Sequence, residues 1–179
     1  MAQAKKRKKF FDVKIPIIGN ETQLIGYNIK ELDGKTIKYD LTRILKGKGV
    51  LMQLEVKVKD EKAIASPKAI NLMPYFLKRM ARKGTDYVED SFSTDCKNAH
   101  VIIKPLLVTR RKVSKAVRKA LRDKAKEELI AYVKDRDKET LFDEILNNKL
   151  QKSLSLKLKK IYPLSLCEIR RFKVVKDKQ

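Results

Sequence analysis

The chain has 179 residues, of which 42% are apolar, 37% charged and only 7% aromatic. This length suits one domain of ordinary size or two small ones, and the apolar share suffices for a core, which excludes wholesale disorder. Lys and Arg number 44 against 22 Asp and Glu, a formal net charge of +22. So much like charge repels itself in the folded state and implies a polyanionic partner. One His, two Cys and no Trp exclude a multi-His metal centre and a four-cysteine zinc site.

Cys96 and Cys167 are far apart and match no metal or redox spacing, so they read as two unpaired, semi-buried thiols in a reducing compartment. No apolar run approaches the ~20 residues of a membrane span. Lys5-Lys6-Arg7-Lys8-Lys9 resembles the start of a signal peptide, but Asp12 and Lys14 interrupt the apolar run after it and Pro16 caps that run. The expectation is a soluble cytosolic protein that makes no membrane contact.

In chain order, residues 1–9 form a basic N-terminal tail that cannot pack, since every side chain from Lys5 to Lys9 is charged. Phe10 to Ile18 is apolar-rich and stops at Gly19-Asn20. Leu24–Leu32 and Lys35–Leu41 flank Asp33-Gly34, the strongest hairpin signal, because both positions tolerate positive φ. From Leu54 to Lys59 apolar and charged residues alternate, marking a strand with one wet face, and Ala63-Ile64-Ala65 returns after a turn at Asp60-Glu61. Asn71 to Lys83 changes period: Leu72, Met73, Phe76, Leu77 and Met80 recur as on a helix face, with Pro74 in the first turn and Gly84 past the end. Tyr87–Cys96 and Ala99–Thr109 read as a strand pair joined at Lys97-Asn98.

A long helical pattern starts at Val113. Val113, Val117, Ala120, Leu121 and Ala131 fall on one side, and Arg111, Lys115, Arg118, Lys119, Arg122 and Lys126 on the other. A second helical stretch carries Leu141, Phe142, Ile145, Leu146, Leu150, Leu154, Leu158 and Ile161 and ends before Pro163. Leu164 to Val175 closes as a strand. No repeat and no Gly/Ser/Pro linker divides the chain, so residues 10–175 read as a single domain and 176–179 as a C-terminal tail. The expected fold class is α+β: mainly antiparallel strands in a small barrel-like sheet, one short central helix, two C-terminal helices and a final strand.

Four basic features stand out: the 5–9 tail, Lys78/Arg79/Arg82/Lys83, the stretch from Arg110 to Lys126, and Arg170-Arg171. Nine positions between Arg110 and Lys126 are basic and only Asp123 is acidic. A solvated helix face would intersperse signs to gain i,i+4 pairs. An uncompensated stripe opposite an apolar one is what a helix needs to rest on a core and face phosphates. A membrane-lying helix would want bulky Trp, Phe or Leu beneath its charges, whereas this one offers Val, Ala and one Leu. The residues assigned to nucleic acid are Lys5, Lys6, Arg7, Lys8, Lys9, Lys78, Arg79, Arg82, Lys83, Arg110, Arg111, Lys112, Lys115, Arg118, Lys119, Arg122, Lys126, Arg170 and Arg171. Lys makes up 33 of the 44 basic residues and reads phosphate as a point charge, so the Arg positions carry the directed contacts. The twelve Tyr and Phe sit mostly where an apolar face wants them, which argues against a stacking platform.

Enzyme readings fail. His100 lies between Ala99 and Val101 in an apolar strand and reads as a packed structural residue. Gly47-Lys48-Gly49 lacks the Gly-Lys-Ser/Thr ending of a phosphate loop and reads as a turn before a strand. Glu127-Glu128 and Asp135/Asp137/Glu139 have abundant Lys neighbours, and ion pairing explains them. No catalytic residue, metal or cofactor is expected.

Three blocks carry a family resemblance: Arg82-Lys83-Gly84-Thr85-Asp86-Tyr87-Val88-Glu89-Asp90, then Lys104-Pro105-Leu106-Leu107-Val108-Thr109-Arg110-Arg111-Lys112, then Lys159-Lys160-Ile161-Tyr162-Pro163-Leu164 followed by Glu168-Ile169-Arg170-Arg171. In this order, with the polybasic tail, the chain resembles the archaeal and eukaryotic small-subunit ribosomal protein family called e-S-one, or S-three-A-e. The resemblance spans residues 5–175. It implies a structural, non-catalytic constituent of the small ribosomal subunit, bound to small-subunit rRNA on the platform near its 3′ end and the mRNA exit. Its implied neighbours include small-subunit protein eleven and the exiting mRNA, and it implies no homo-oligomer. Departures from the family pattern fall at Arg43, Ala69, Ile70, Met73, Pro74 and Tyr75. The absence of the long C-terminal extension of animal and fungal members makes it look archaeal or reduced.

Overall fold

The computed structural model describes residues 7–60 and 62–177. They fall into two compact units, one within residues 7–39 and 53–68, the other within residues 40–52 and 69–177. The chain crosses the boundary inside three strands, so no flexible linker is needed and none marks it in the sequence.

In the first unit β1 (Lys9–Ile15) buries Val13 and Ile15 and pairs antiparallel with β2 (Asn20–Gly26). Gly19, at φ +72°, closes this hairpin by donating to the Ile15 carbonyl. The hairpin expected at Asp33-Gly34 does not form. Leu24 to Leu32 instead splits into β2 and a 3₁₀ turn at Ile29–Leu32, and β3 (Thr36–Asp40) pairs with β4 (Val50–Lys59). The reason is tertiary: Leu32 is fully buried, and the Gly34 N–H donates to the Val56 carbonyl at 2.9 Å. Alternation in β4 holds, with Val50, Met52, Leu54 and Val56 buried and their neighbours at least partly wet. β5 (Lys62–Leu72) runs parallel to β1 through Val13↔Ala63 and Lys14↔Ile64.

All nine strands belong to one mixed sheet, ordered β2-β1-β5-β9-β8-β6, where β6 (Tyr87–Glu89), β8 (Ala99–Thr109) and β9 (Leu164–Asp177) lie in the second unit. β3, β4 and β7 (Phe92–Asp95) pair off that path. The class is α+β as expected, but the sheet is open and contains a parallel pair, so barrel closure of the early strands is not seen. β6 and β7 replace one predicted strand and pair side by side along β8.

β9 pairs with β8 over its whole length, with three register shifts. One shift sits at Pro105, which has no N–H to give the ladder. Lys104 pairs with Arg171 and Pro105 with Ile169, so Arg170 is the extra residue of a bulge.

Among the described residues four α-helices form instead of three. α1 (Pro74–Met80) is shorter than its periodicity suggested, because Asn71 and Leu72 complete β5 and Met73 is extended. Pro74 opens it as expected, whereas Gly84 (φ +86°) lies beyond the Ala81 cap and turns the following loop. α2 (Lys115–Lys134) starts at Ser114, whose side chain accepts from the Val117 N–H. The second stretch breaks into α3 (Lys138–Leu146) and α4 (Lys149–Leu158) at Asn148, a left-handed residue at φ +57°. α2 buries Leu121, Ala125, Leu129 and Val133, and α4 buries Leu150, Leu154 and Leu158.

Phe142 of α3 meets Phe172 of β9 edge to face, ring centroids 5.0 Å apart, and both are fully buried. Phe172→Ala should therefore lower stability by about 3–5 kcal/mol, as read by equilibrium urea unfolding. A loss below ~1 kcal/mol would mean this contact is not central to the core.

Candidate nucleic-acid interface

Helical spacing builds the basic stripe. Lys115, Lys119, Arg122 and Lys126 recur at intervals of four, three and four, which at about 100° per residue holds them within about 60° of arc. All four are exposed on α2. Buried Leu121, Ala125, Leu129 and Val133 form the adjoining seam. The stripe thus flanks the apolar seam rather than standing opposite it.

Several expected positions differ. Ala120 and Ala131 are exposed, off the four-residue row of Leu121, Ala125, Leu129 and Val133, whereas Val117 and Val113 continue that row toward the start of the helix and are only half-buried. Arg118, three residues before Leu121 and seven before Ala125, lies on the seam side of the helix, so it is half-buried and stands outside the stripe.

The segment before α2 is pinned at both ends. The Thr109 hydroxyl accepts from the Asp86 N–H at 3.0 Å and lies 2.9 Å from the Asp86 carbonyl and 2.7 Å from the Arg111 carbonyl. The Asp86 carboxylate accepts from the Val113 N–H at 2.9 Å. Exposed Arg110, Arg111 and Lys112 are thereby held in a fixed loop at the head of the stripe. Thr109 and Asp86 are positioning residues that sequence reasoning missed; their signal was two polar residues flanking β6 and β8, uninformative until those strands pair.

Lys78 and Arg79 are exposed on α1, with Arg82 and Lys83 in the following turn. Arg79 also lies over the Phe76 ring, 5.5 Å from its centroid. The Arg170-Arg171 pair does not act together. Arg170 is exposed and donates to Glu89 Oε2 at 2.6 Å, whereas Arg171 is half-buried and, among the described residues, its Nε has no hydrogen-bond partner. Arg7 and Lys8 belong to the other unit and are exposed; Lys9 is the first residue of β1 rather than tail. Lys5 and Lys6 lie outside the described residues.

The acidic groups work inside the fold. Lys157 and Lys124 bracket Glu128, and the Lys157 hydrogen bond holds its carboxyl below the usual carboxylate range. His100 is half-exposed rather than packed, because its ring pairs across β7 and β8 with Asp95 at 2.5 Å. Gly47-Lys48-Gly49 is the turn before β4. A Cβ on Gly49 would overlap the Tyr75 ring, and Lys48 Nζ reaches Glu168 and Asn148 at 2.6 Å each. Of the departure positions, Ala69 and Ile70 are buried in β5 and Arg43 is exposed. The thiols are unpaired; Cys96 is buried, and burial together with the Glu168 carboxylate pushes Cys167 up to about 12.

The sequence matches the Ribosomal S3Ae family over residues 2–178. The chain belongs to the ribosomal S3Ae family. It is 27% identical over 177 residues to the small ribosomal subunit protein eS1 of Nanoarchaeum equitans, covering 93% of this chain and 88% of that one. The eS1 protein of Pyrobaculum aerophilum is 26% identical over 181 residues, 94% and 80% of the two chains. That of Pyrobaculum islandicum is 28% identical over 140 residues, 77% and 63%. A ribosomal protein family is structural rather than enzymatic.

Lys119→Glu with Arg122→Glu should change stability by under ~0.5 kcal/mol, since both side chains are exposed. The same pair should weaken RNA binding by about tenfold or more, measured by filter binding beside a thermal melt. At pH 8 neither thiol of the native chain should react with iodoacetamide, because Cys96 is buried and the Cys167 thiol is held protonated. Both should react once the chain is unfolded; rapid native labelling would contradict the burial.

Proposed function

We propose that this chain is a structural constituent of the small ribosomal subunit, working in the cytoplasmic ribosome by binding small-subunit rRNA among other small-subunit proteins. The observation that carries the reading is the exposed Lys115/Lys119/Arg122/Lys126 stripe with its pinned Arg110–Lys112 loop, on a chain of a ribosomal family. The names of its relatives, small ribosomal subunit protein eS1, support the assignment to that subunit. Contacts are chiefly to the RNA backbone, because Lys supplies most of the charge and meets phosphate as a point charge without the planar fork of Arg.

The finer placement follows the family resemblance. In this reading, which the resemblance supports, the chain sits on the platform, near the rRNA 3′ end and the mRNA exit, beside small-subunit protein eleven and as a single copy. The α1 cluster Lys78/Arg79/Arg82/Lys83, the N-terminal Lys5–Lys9 and Arg170 supply further phosphate contacts in this reading, and Arg118 and Arg171 contribute from half-buried positions.

Two measurements test it. The chain should co-sediment stoichiometrically with small ribosomal subunits at moderately high salt, whereas a loosely held chaperone would wash away. Isolated, it should bind rRNA fragments with little sequence preference, losing about 10³–10⁵-fold in affinity between about 50 and 200 mM salt if six to ten phosphates are engaged. Release from subunits at that salt, or a salt-independent affinity, would overturn the reading.

A further inference from the structure

A groove of about 470 Å³ opens in the second unit between α1 and the face of β6 and β8. Its construction follows from strand alternation. Val88 is buried on one face of β6, so Tyr87 and Glu89 share the other, opposite Val108 and Leu106 in register. Buried Leu106 and Val108 make an apolar floor, and Leu77 of α1 lines the groove with them. Tyr87 is 62% exposed. An aromatic ring left this open above an apolar floor is not filling a core.

The charged part of the lining is cationic with one acid. Lys78 comes from α1, and Arg170 from the bulge that Pro105 forces on β9. Glu89 accepts from Arg170 at 2.6 Å, which fixes the guanidinium beside the groove while its side chain stays 45% exposed. Exposed Arg82 and Lys83 come next, in the turn after α1. An apolar slot with an exposed aromatic face and cationic margins matches one ligand chemistry: a flat base attached to a phosphate. Its volume lies within the range of small-ligand clefts.

We propose that this groove takes one unstacked nucleotide of single-stranded RNA, its base laid on the Tyr87 ring against Leu77 and its phosphate met by Lys78 and Arg170. This rests on the RNA-binding reading above and gives it a second mode. The α2 stripe holds backbone of any form, whereas the groove admits only a base free of its stack. Paired bases in a duplex present no face to Tyr87.

The test compares the full chain with Tyr87→Ala and Tyr87→Phe, using a short labelled oligouridylate and an RNA duplex of equal phosphate number. Tyr87→Ala should weaken oligouridylate binding by about five- to hundredfold, with the salt slope and duplex affinity unchanged. Tyr87→Phe should bind like the native chain, because the ring is kept. Thermal melts should agree among the three, since the residue is exposed. In the native chain, a 4-thiouridine oligonucleotide should photo-crosslink to Tyr87 or α1, a readout that does not depend on any variant folding. Unchanged oligouridylate affinity for Tyr87→Ala, an equal loss on the duplex, or crosslinks confined to α2 would overturn the groove while leaving the RNA-binding reading intact. A native chain that binds neither RNA would overturn both. Crosslinking of a photoreactive residue at position 77 to protein instead of rRNA, in assembled subunits, would overturn the groove in favour of a peptide occupant.

Discussion

The second unit hangs on the antiparallel ladder between β8 and β9. β8 is apolar nearly throughout and has neighbours along both edges: β9 on one, β6 and β7 on the other. From Pro105 to Thr109 the strand has no wet face, and it has no free edge, so its register with β9 cannot slip without exposing a buried row. The ladder's end also sets the origin of the basic helix. Thr109, the last residue of β8, joins Asp86 just ahead of β6, and Asp86 in turn holds Val113 ahead of α2. A cationic loop that would otherwise be driven outward by its own charge is fixed by two uncharged hydrogen bonds and one carboxylate.

A net charge of +22 sets the second constraint. Acidic residues are too few to neutralise the surface, and the fold places them where a cation is needed for structure. Glu168 holds Lys48 with side chains only 12% and 14% exposed, joining the turn before β4 to β9 and, through Asn148, to the break between α3 and α4. Removing one partner of a pair so buried would leave an uncompensated charge, a loss of the order of 3–5 kcal/mol. Glu144 pairs with Arg136 and Asp177 with Lys138, tying the last turn of α3 to the turn after α2 and the start of α3 to β9. Lys115, Lys119, Arg122 and Lys126 stay exposed, where water screens the repulsion among them.

Irregularity carries the chemistry of β9. The bulge opposite Pro105 releases Arg170 to Glu89 and leaves Arg171 in register with Lys104, so two adjacent arginines acquire different surroundings.

Local physics made much of this legible in sequence. Period-2 alternation showed β4, three-and-four spacing showed α2 and its Lys and Arg stripe, and the charge excess pointed to a polyanion, because each depends only on near neighbours along the chain. Family blocks at residues 82–90 and 104–112 named the ribosomal class for the same reason. What needed the tertiary structure was every choice between partners distant in sequence. Asp33-Gly34 has the chemistry of a hairpin turn, yet Leu32's burial and the Gly34–Val56 hydrogen bond give β3 to β4. Asn148 breaks a continuous helical pattern because α3 and α4 must each lay an apolar row on the core, at the cost of one residue with positive φ. The parallel β1–β5 pair, the Arg170 bulge and the open Tyr87 ring likewise depend on which strands lie side by side. Spacing along the chain decides a segment's period and face; only contact between distant segments decides what that face meets.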